Sequence, residues 1–188
     1  MIRQALEFMR DRLDGSLRQR FPSDEPRVAI SNVVDRGGGA PAGLSDMLAM
    51  TLVNVERDPT ASGTRPYLER AETSAAVMAP SMAINLDVLA SAHFEDHYED
   101  GLALLSAAIG HFQGQVSFTP QNAPDLPKGM QKLTTEWVDL DLREIHNLWT
   151  VLGGRYLPSA LYKMRMITMQ EGLAMGDVPL ITGTSVRT

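Results

Sequence analysis

The chain has 188 residues, 44% of them hydrophobic, which is enough for one core of ordinary size and demands no second domain. Its formal charge of -6 argues against a nucleic-acid partner, whose phosphates call for a basic face. It holds no cysteine, so disulfides, thiolate metal sites and cysteine nucleophiles are excluded together.

The opening segment MIRQALEFMRDRLDG interrupts its apolar residues with arginines and acids, so it reads as neither a signal peptide nor a membrane span. The expected place of synthesis and folding is the cytoplasm. Within that segment and just beyond it, Ile2, Ala5, Leu6, Met9, Leu13 and Leu17 recur at spacings of three and four. Arg3, Arg10, Arg12 and Arg18 lie largely off the stripe, which predicts an amphipathic helix that stops before Pro22. RVAISNVV from Arg27 and MLAMTLVNVERD from Met47 are rich in β-branched and apolar residues. They predict two strands, and DRGGGAPAG between them predicts a flexible hairpin connection. Residues 59–79 show little periodicity and read as a long loop.

MAINLDVLASAHF from Met82 sets Met82, Ile84, Leu86, Val88 and Ala90 on one face against Asn85, Asp87 and Ser91 on the other, the pattern of a half-buried strand. Asp96 and Glu99 have capping-box spacing and predict a helix from about Asp96 that buries Leu102, Leu105, Ala108, Ile109 and Phe112. VSF, from Val116, predicts a short extra strand and LTTEWVDL a longer one. Asp141 and Glu144 repeat the capping spacing before LREIHNLWTVLGG, whose Gly153 and Gly154 suit a left-handed helix end. ALYKMRMITM gives the last clear strand, with Tyr162, Met164 and Met166 alternating with Lys163, Arg165 and Ile167. EGLAMGDVPLITGTSVRT is a glycine-interrupted tail. This order predicts an α+β fold with a mainly antiparallel or mixed sheet flanked by helices, a single domain over residues 1–169, and a C-terminal tail, 170–188, ordered by a partner.

No catalytic, cofactor-binding or metal site emerges from these residues. His93 and His97 have helical metal-pair spacing, but the capping assignment leaves His93 at a strand end, so the two imidazoles need not share a face. Gly37, Gly38 and Gly39 lack the Lys-Ser or Lys-Thr that a phosphate loop requires. Glu136 has opposite strand parity to Asp139, and Asp141 is already accounted for as a cap. No serine sits in a Gly-x-Ser-x-Gly elbow, and neither His111 nor His146 has a serine or acid partner in sequence.

IGHFQGQVSFTPQNAP, from Ile109, looks at first like an active-site loop, yet it brings no nucleophile and no acid before Asp125. It offers His111, Phe112, Gln113, Phe118, Gln121 and Asn122, amide and aromatic groups suited to protein contacts. Lys163 and Arg165 add a two-cation face that suits an acidic partner. Two other readings stay open on the residues. One is a small-molecule enzyme with a non-local site, for which His93, His97 and Glu99 are the best available groups; the other is an assembly factor or chaperone for other proteins.

MIRQALEFMRDRL, LVNVERD, IGHFQGQVSFTPQNAPDLP and NLWTVLGGRYLPSALYKMRMITM, in that order, resemble the tube-terminator or cap proteins of contractile injection systems, a family formerly catalogued as a domain of unknown function. The resemblance runs over residues 1–169 and weakens at 36–43, at 59–79 and after Met169. It implies an α+β subunit similar to phage tail terminators, assembled as a homo-hexameric ring on the distal end of the inner tube protein and touching the last layer of sheath protein. It implies no enzymatic activity, no cofactor, and no nucleic-acid or membrane partner. The implied setting is a phage-tail-like particle, assembled in the cytoplasm and then released or retained.

Overall fold

A computed structural model describes residues 1–58, 67–70, 74–78, 82–168 and 174–179. The first helix, α1, runs from Ile2 to Arg20 and buries Ala5, Leu6, Phe8, Met9, Leu13 and Leu17. That is the stripe read from the sequence, widened by Phe8 and with Ile2 only half-buried. Arg18 and Arg20 in its last turn sit where the helix dipole favours cations.

The strands are β1 (Val28–Ile30), β2 (Met47–Arg57), β3 (Tyr67–Arg70), β4 (Ser74–Met78), β5 (Met82–His93), β6 (Ser117–Phe118), β7 (Met130–Val138), β8 (Ser159–Thr168) and β9 (Ala174–Pro179). The remaining helices are α2 (Tyr98–Gly114) and α3 (Leu142–Leu152). Six strands form one sheet in the order β1-β2-β5-β8-β7-β6, and β3-β4-β9 form a second. Every pairing is antiparallel except β1 with β2. The sheet is therefore mixed, and the α+β class expected from the sequence holds.

The parallel pair overturns the hairpin expected between β1 and β2. Val28 lies opposite Leu48 and Ile30 opposite Met50, so the intervening chain must travel back the full strand length, which a tight hairpin cannot do. Asp35 organises part of that return: its Oδ1 accepts the N–H groups of Gly37 at 2.8 Å and Gly39 at 3.0 Å, around Gly38 at φ 81°. The long loop expected over 59–79 contains β3 and β4, paired with each other. The tail expected beyond 169 contributes β9, which pairs antiparallel with β4, placing Ser74 opposite Pro179.

One face of the larger sheet packs under α1 and α2. Leu48 and Met50, Leu86 and Val88, Met164 and Met166, and Leu133 meet there with the helix stripes. Phe8 stands edge-on to Phe118, with centroids 5.3 Å apart. A smaller cluster of Val33, Leu89 and Trp149 covers part of the opposite face beneath α3. β5 is consequently buried on both sides, since Leu89, Ser91 and His93 are as enclosed as Leu86, Val88 and Ala90. The half-buried strand expected from its alternation understates this, because Trp149 of α3 and Val33 of the β1–β2 connection, both distant in sequence, pack against Leu89 on the polar-looking parity.

Helix α2 corrects two expectations. Its N-cap is His97, with no side-chain cap hydrogen bond, so Asp96 falls outside the helix and the third helical position is Asp100 rather than Glu99. Leu104, not Leu102, faces the core: Leu102 is exposed, Ile109 is half-buried, and Leu105, Ala108 and Phe112 are buried as expected. Gly101 sits against Phe94, where an added Cβ would come within 2.9 Å of the ring. Gly101→Ala is expected to cost about 1–3 kcal/mol by overpacking, read as a lower urea midpoint with unchanged slope.

In α3 the capping box is complete. Glu144 N–H donates to Asp141 Oδ1 and Asp141 N–H donates to Glu144 Oε2, both at 2.8 Å. Gly153 closes the helix at φ 69°. Gly154 serves packing instead: its Cβ position lies 2.8 Å from Val33 Cγ1. Among the described residues, no helix is long and apolar enough to cross a membrane.

Candidate protein-contact surface

The loop from Ile109 divides into an anchored part and an offered part. Phe112 and Phe118 are 2% and 0% exposed, so these two expected contact residues belong to the core and cannot meet a partner. Phe112 packs 4.5 Å from the Tyr162 ring. Asn122 works as an internal staple, its Oδ1 accepting Thr119 N–H at 2.7 Å and its Nδ2 donating to Ser117 C=O at 2.9 Å. Ala123 and Leu126 bury the far side of the same turn. Gln113 and Gln121 are exposed, and they remain candidates for outside contact.

His111 is half-buried where α1, α2 and the loop meet. Arg12 pairs there with Asp125 and lies over the Phe8 ring, 5.4 Å from its centroid. Burial first, and the Arg12 charge second, hold the His111 pKa below the ordinary histidine value. Burial lowers His93 in the same direction. The unfolded chain, with histidines near 6.5, therefore binds more protons than the folded one, so stability is full above that value and declines as pH falls toward the folded-state pKa values. His111→Gln is expected to flatten the drop in melting temperature between about pH 7 and pH 5; an unchanged drop would contradict this.

Lys163 and Arg165 lie on the sheet face opposite α1 and α2, and neither cation is free. Lys163 Nζ meets Glu56 Oε2 at 3.1 Å and Asp87 Oδ1 at 3.8 Å, and Arg165 Nη2 meets Glu136 Oε2 at 2.9 Å. Asn54 Nδ2 bridges Glu56 at 3.1 Å and Asp87 at 3.2 Å. The result is a charge ladder across β2, β5, β8 and β7. The hydrogen bond that Lys163 donates to Glu56 holds the Lys163 pKa above its ordinary value; burial and the Arg165 charge oppose the rise, and the charges of Asp87 and Glu56 support it. The acidic partner expected for this pair of cations is supplied by the chain itself.

The groups considered for chemistry are dispersed. His93 ends β5 at 6% exposure, with Ser91 Oγ 3.2 Å from its Nε2. His97 stands outside, 3.4 Å from Asp46 Oδ1, and Glu99 is exposed in the first turn of α2. Glu136 is paired with Arg165, Asp139 accepts the Trp137 indole N–H at 2.8 Å, and Asp141 caps α3. Among the described residues no three His, Asp or Glu side chains converge as metal ligands. A hollow of about 560 Å³ lies between the glycine-rich connection and the end of β5, with His93, Glu95 and Arg155 among its lining.

Among the described residues, the three most exposed large apolar groups, Leu142, Val151 and Tyr156, lie in or just after α3, and Trp137 near the end of β7 is also exposed. Leu142 is 86%, Val151 84%, Tyr156 62% and Trp137 43% exposed. Leu142 and Val151 fall off the stripe of Ile145, Leu148, Trp149 and Leu152, and that offset is the signal in the sequence that marks them. Trp149 is the one α3 residue that is fully buried.

A family model described as the Pvc16 N-terminal domain matches residues 7–182. Among solved structures, the chain is similar to the PVC sheath/tube terminator of an extracellular contractile injection system in its extended state. That match has a TM-score of 0.61 and 12% identity, covering 96% of this chain and 62% of the other. It is also similar to the anti-feeding prophage cap, the AFP tube terminating cap, with a TM-score of 0.60 and 11% identity over 95% of this chain and 59% of the other. The chain thus spans about six tenths of the length of those structures. At such identity the likeness establishes the shared fold. No curated protein sequence matches the chain.

Proposed function

The chain belongs to the family of the Pvc16 N-terminal domain, and on that premise we propose that it is a structural cap: it terminates the inner tube of a contractile injection system and contacts the last sheath layer. The observation that carries this reading is a fold shared over 96% of the chain with a sheath/tube terminator. Large apolar side chains left exposed in and just after α3, in a chain of formal charge -6, suit a subunit whose partners are proteins.

In this reading the cap is a homo-hexameric ring matched to a six-fold tube. Its subunit contacts are heterologous, and they close because the rotation between neighbours fits. The chain acts by contact and carries out no reaction. It resides in the phage-tail-like particle, with neither membrane nor nucleic acid as partner. In this reading residues 1–169 form the domain, β9 pairs with its β4, and the residues after Pro179 are the part of the tail that a partner orders.

Removing the chain from a producing strain tests the role. Particles without it are expected to show tubes and sheaths of uneven length, restored to uniform length by the chain supplied in trans. Particles of unchanged length distribution would overturn the cap reading. Detection of the chain during assembly but never in finished particles would favour the assembly-factor alternative.

A further inference from the structure

The two edges of the six-stranded sheet are finished differently. On the β1 side, Asp14 Oδ1 accepts the N–H groups of Arg27 at 2.6 Å and Val28 at 3.1 Å, so α1 blocks the edge. On the other side β6 is two residues long, pairing Ser117 with Thr134 and Phe118 with Leu133. Thr135 N–H still finds Val116 C=O at 2.9 Å. Two residues further on, the backbone N–H and C=O of Trp137 point the same way by strand alternation and meet no backbone partner among the described residues. An uncovered edge of this kind is a template for an added strand.

Beside that edge two adjoining hollows, of about 130 and 460 Å³, share Ile145, Trp149 and Tyr156 in their walls. Trp137 lines the smaller and Leu142 the larger. Trp149 is 4% exposed, and its indole N–H is buried without an acceptor among the described residues. An open strand edge beside an apolar trough describes a seat for an extended peptide, whose backbone pairs with the edge and whose aliphatic side chains fill the trough.

We propose that this seat takes residues 180–188 of a second copy of the chain. The inference rests on the ring reading, since head-to-tail closure needs a donor segment and an acceptor surface on every copy. The sequence LITGTSVRT is rich in β-branched residues, namely Ile181, Thr182, Thr184, Val186 and Thr188, and it carries one cation, Arg187, and no acid. The acceptor edge runs into Asp139 and Asp141, and Asp141 is met within the chain by Arg143 at 3.9 Å. β8 enters the sheet beside the seat, with Tyr162 opposite Trp137, and leaves at Thr168, opposite Met130, so the chain quits this sheet at the end of β7 away from the seat.

The chain has no native cysteine, so two single substitutions, Leu142→Cys and Val186→Cys, report one contact cleanly. The two full-length variants are mixed and oxidised, and native mass spectrometry follows assembly. The expected result is a disulfide-linked pair containing one of each variant. Its yield should be on the order of tenfold above that of a Val116→Cys and Val186→Cys mixture, because seating raises the local concentration. A six-membered ring without the mixed disulfide, or with disulfides only between identical variants, overturns the strand seat and leaves the ring standing. The mixed disulfide without a six-membered ring supports the seat and overturns the ring. Neither disulfide nor ring overturns both.

Discussion

Phe118→Ala is expected to lower the free energy of unfolding by about 3–5 kcal/mol, the range for truncating a fully enclosed aromatic side chain. Phe118 is 0% exposed, stands edge-on to Phe8 and faces Leu133 in the short β6–β7 pairing. The ring therefore ties α1, the sheet and the loop after α2 to one another, and its removal leaves a cavity that three rigid elements cannot close. Gln121→Ala, a few residues along the same loop and exposed, is expected to change stability by less than about 0.5 kcal/mol. Urea unfolding of both variants checks the contrast. Equal costs would mean that the loop is held by something other than its aromatic anchor.

Lys163→Glu is the second substitution with a large expected effect, about 2–3 kcal/mol, set below the range for breaking a fully buried pair because Lys163 keeps 28% of its side-chain surface. The change removes the cation that serves both Glu56 and Asp87 and puts a carboxylate in its place. Asp87 is the sensitive member, with 14% of its side chain exposed. The loss is expected in the isolated chain, and it should shrink at high salt, as repulsion among partly solvated charges is screened. Combining Lys163→Glu with Glu56→Lys should recover part of it, a coupling that a double-mutant cycle measures directly. A cost seen only when a partner protein is present would contradict the ladder and restore the view of these cations as a docking face.

These two cases show where sequence reasoning ends. An aromatic side chain in a polar, glycine-containing loop reads the same whether it points in or out, so Phe112 and Phe118 looked like contact residues until the sheet beneath them was known. The partners of Lys163 and Arg165 lie 107 and 29 residues away in sequence, beyond any local pattern. Direction is equally hidden: the apolar runs of β1 and β2 are visible as strands, yet nothing in their composition says that they run parallel. The pairing of β4 with β9 joins segments about a hundred residues apart, each too short to announce itself. What was legible is local. The α1 stripe, the Asp141–Glu144 box, the left-handed Gly153 and the alternation of Tyr162, Met164 and Met166 each depend on neighbours within a few residues, and each appears where the spacing put it. The resemblance stated from four ordered motifs reached the family that the match over residues 7–182 supports. It could not reach the apolar side chains exposed in and just after α3, because their exposure depends on what the folded sheet leaves uncovered.

Electron cryomicroscopy of purified particles, with this chain carrying a small fused tag, tests the cap most directly. The account predicts tag density at one end of the particle, in a six-fold ring seated on the last ring of the inner tube and touching the terminal sheath layer. Tag density spread along the tube, a ring of another symmetry, or finished particles without the tag would contradict it.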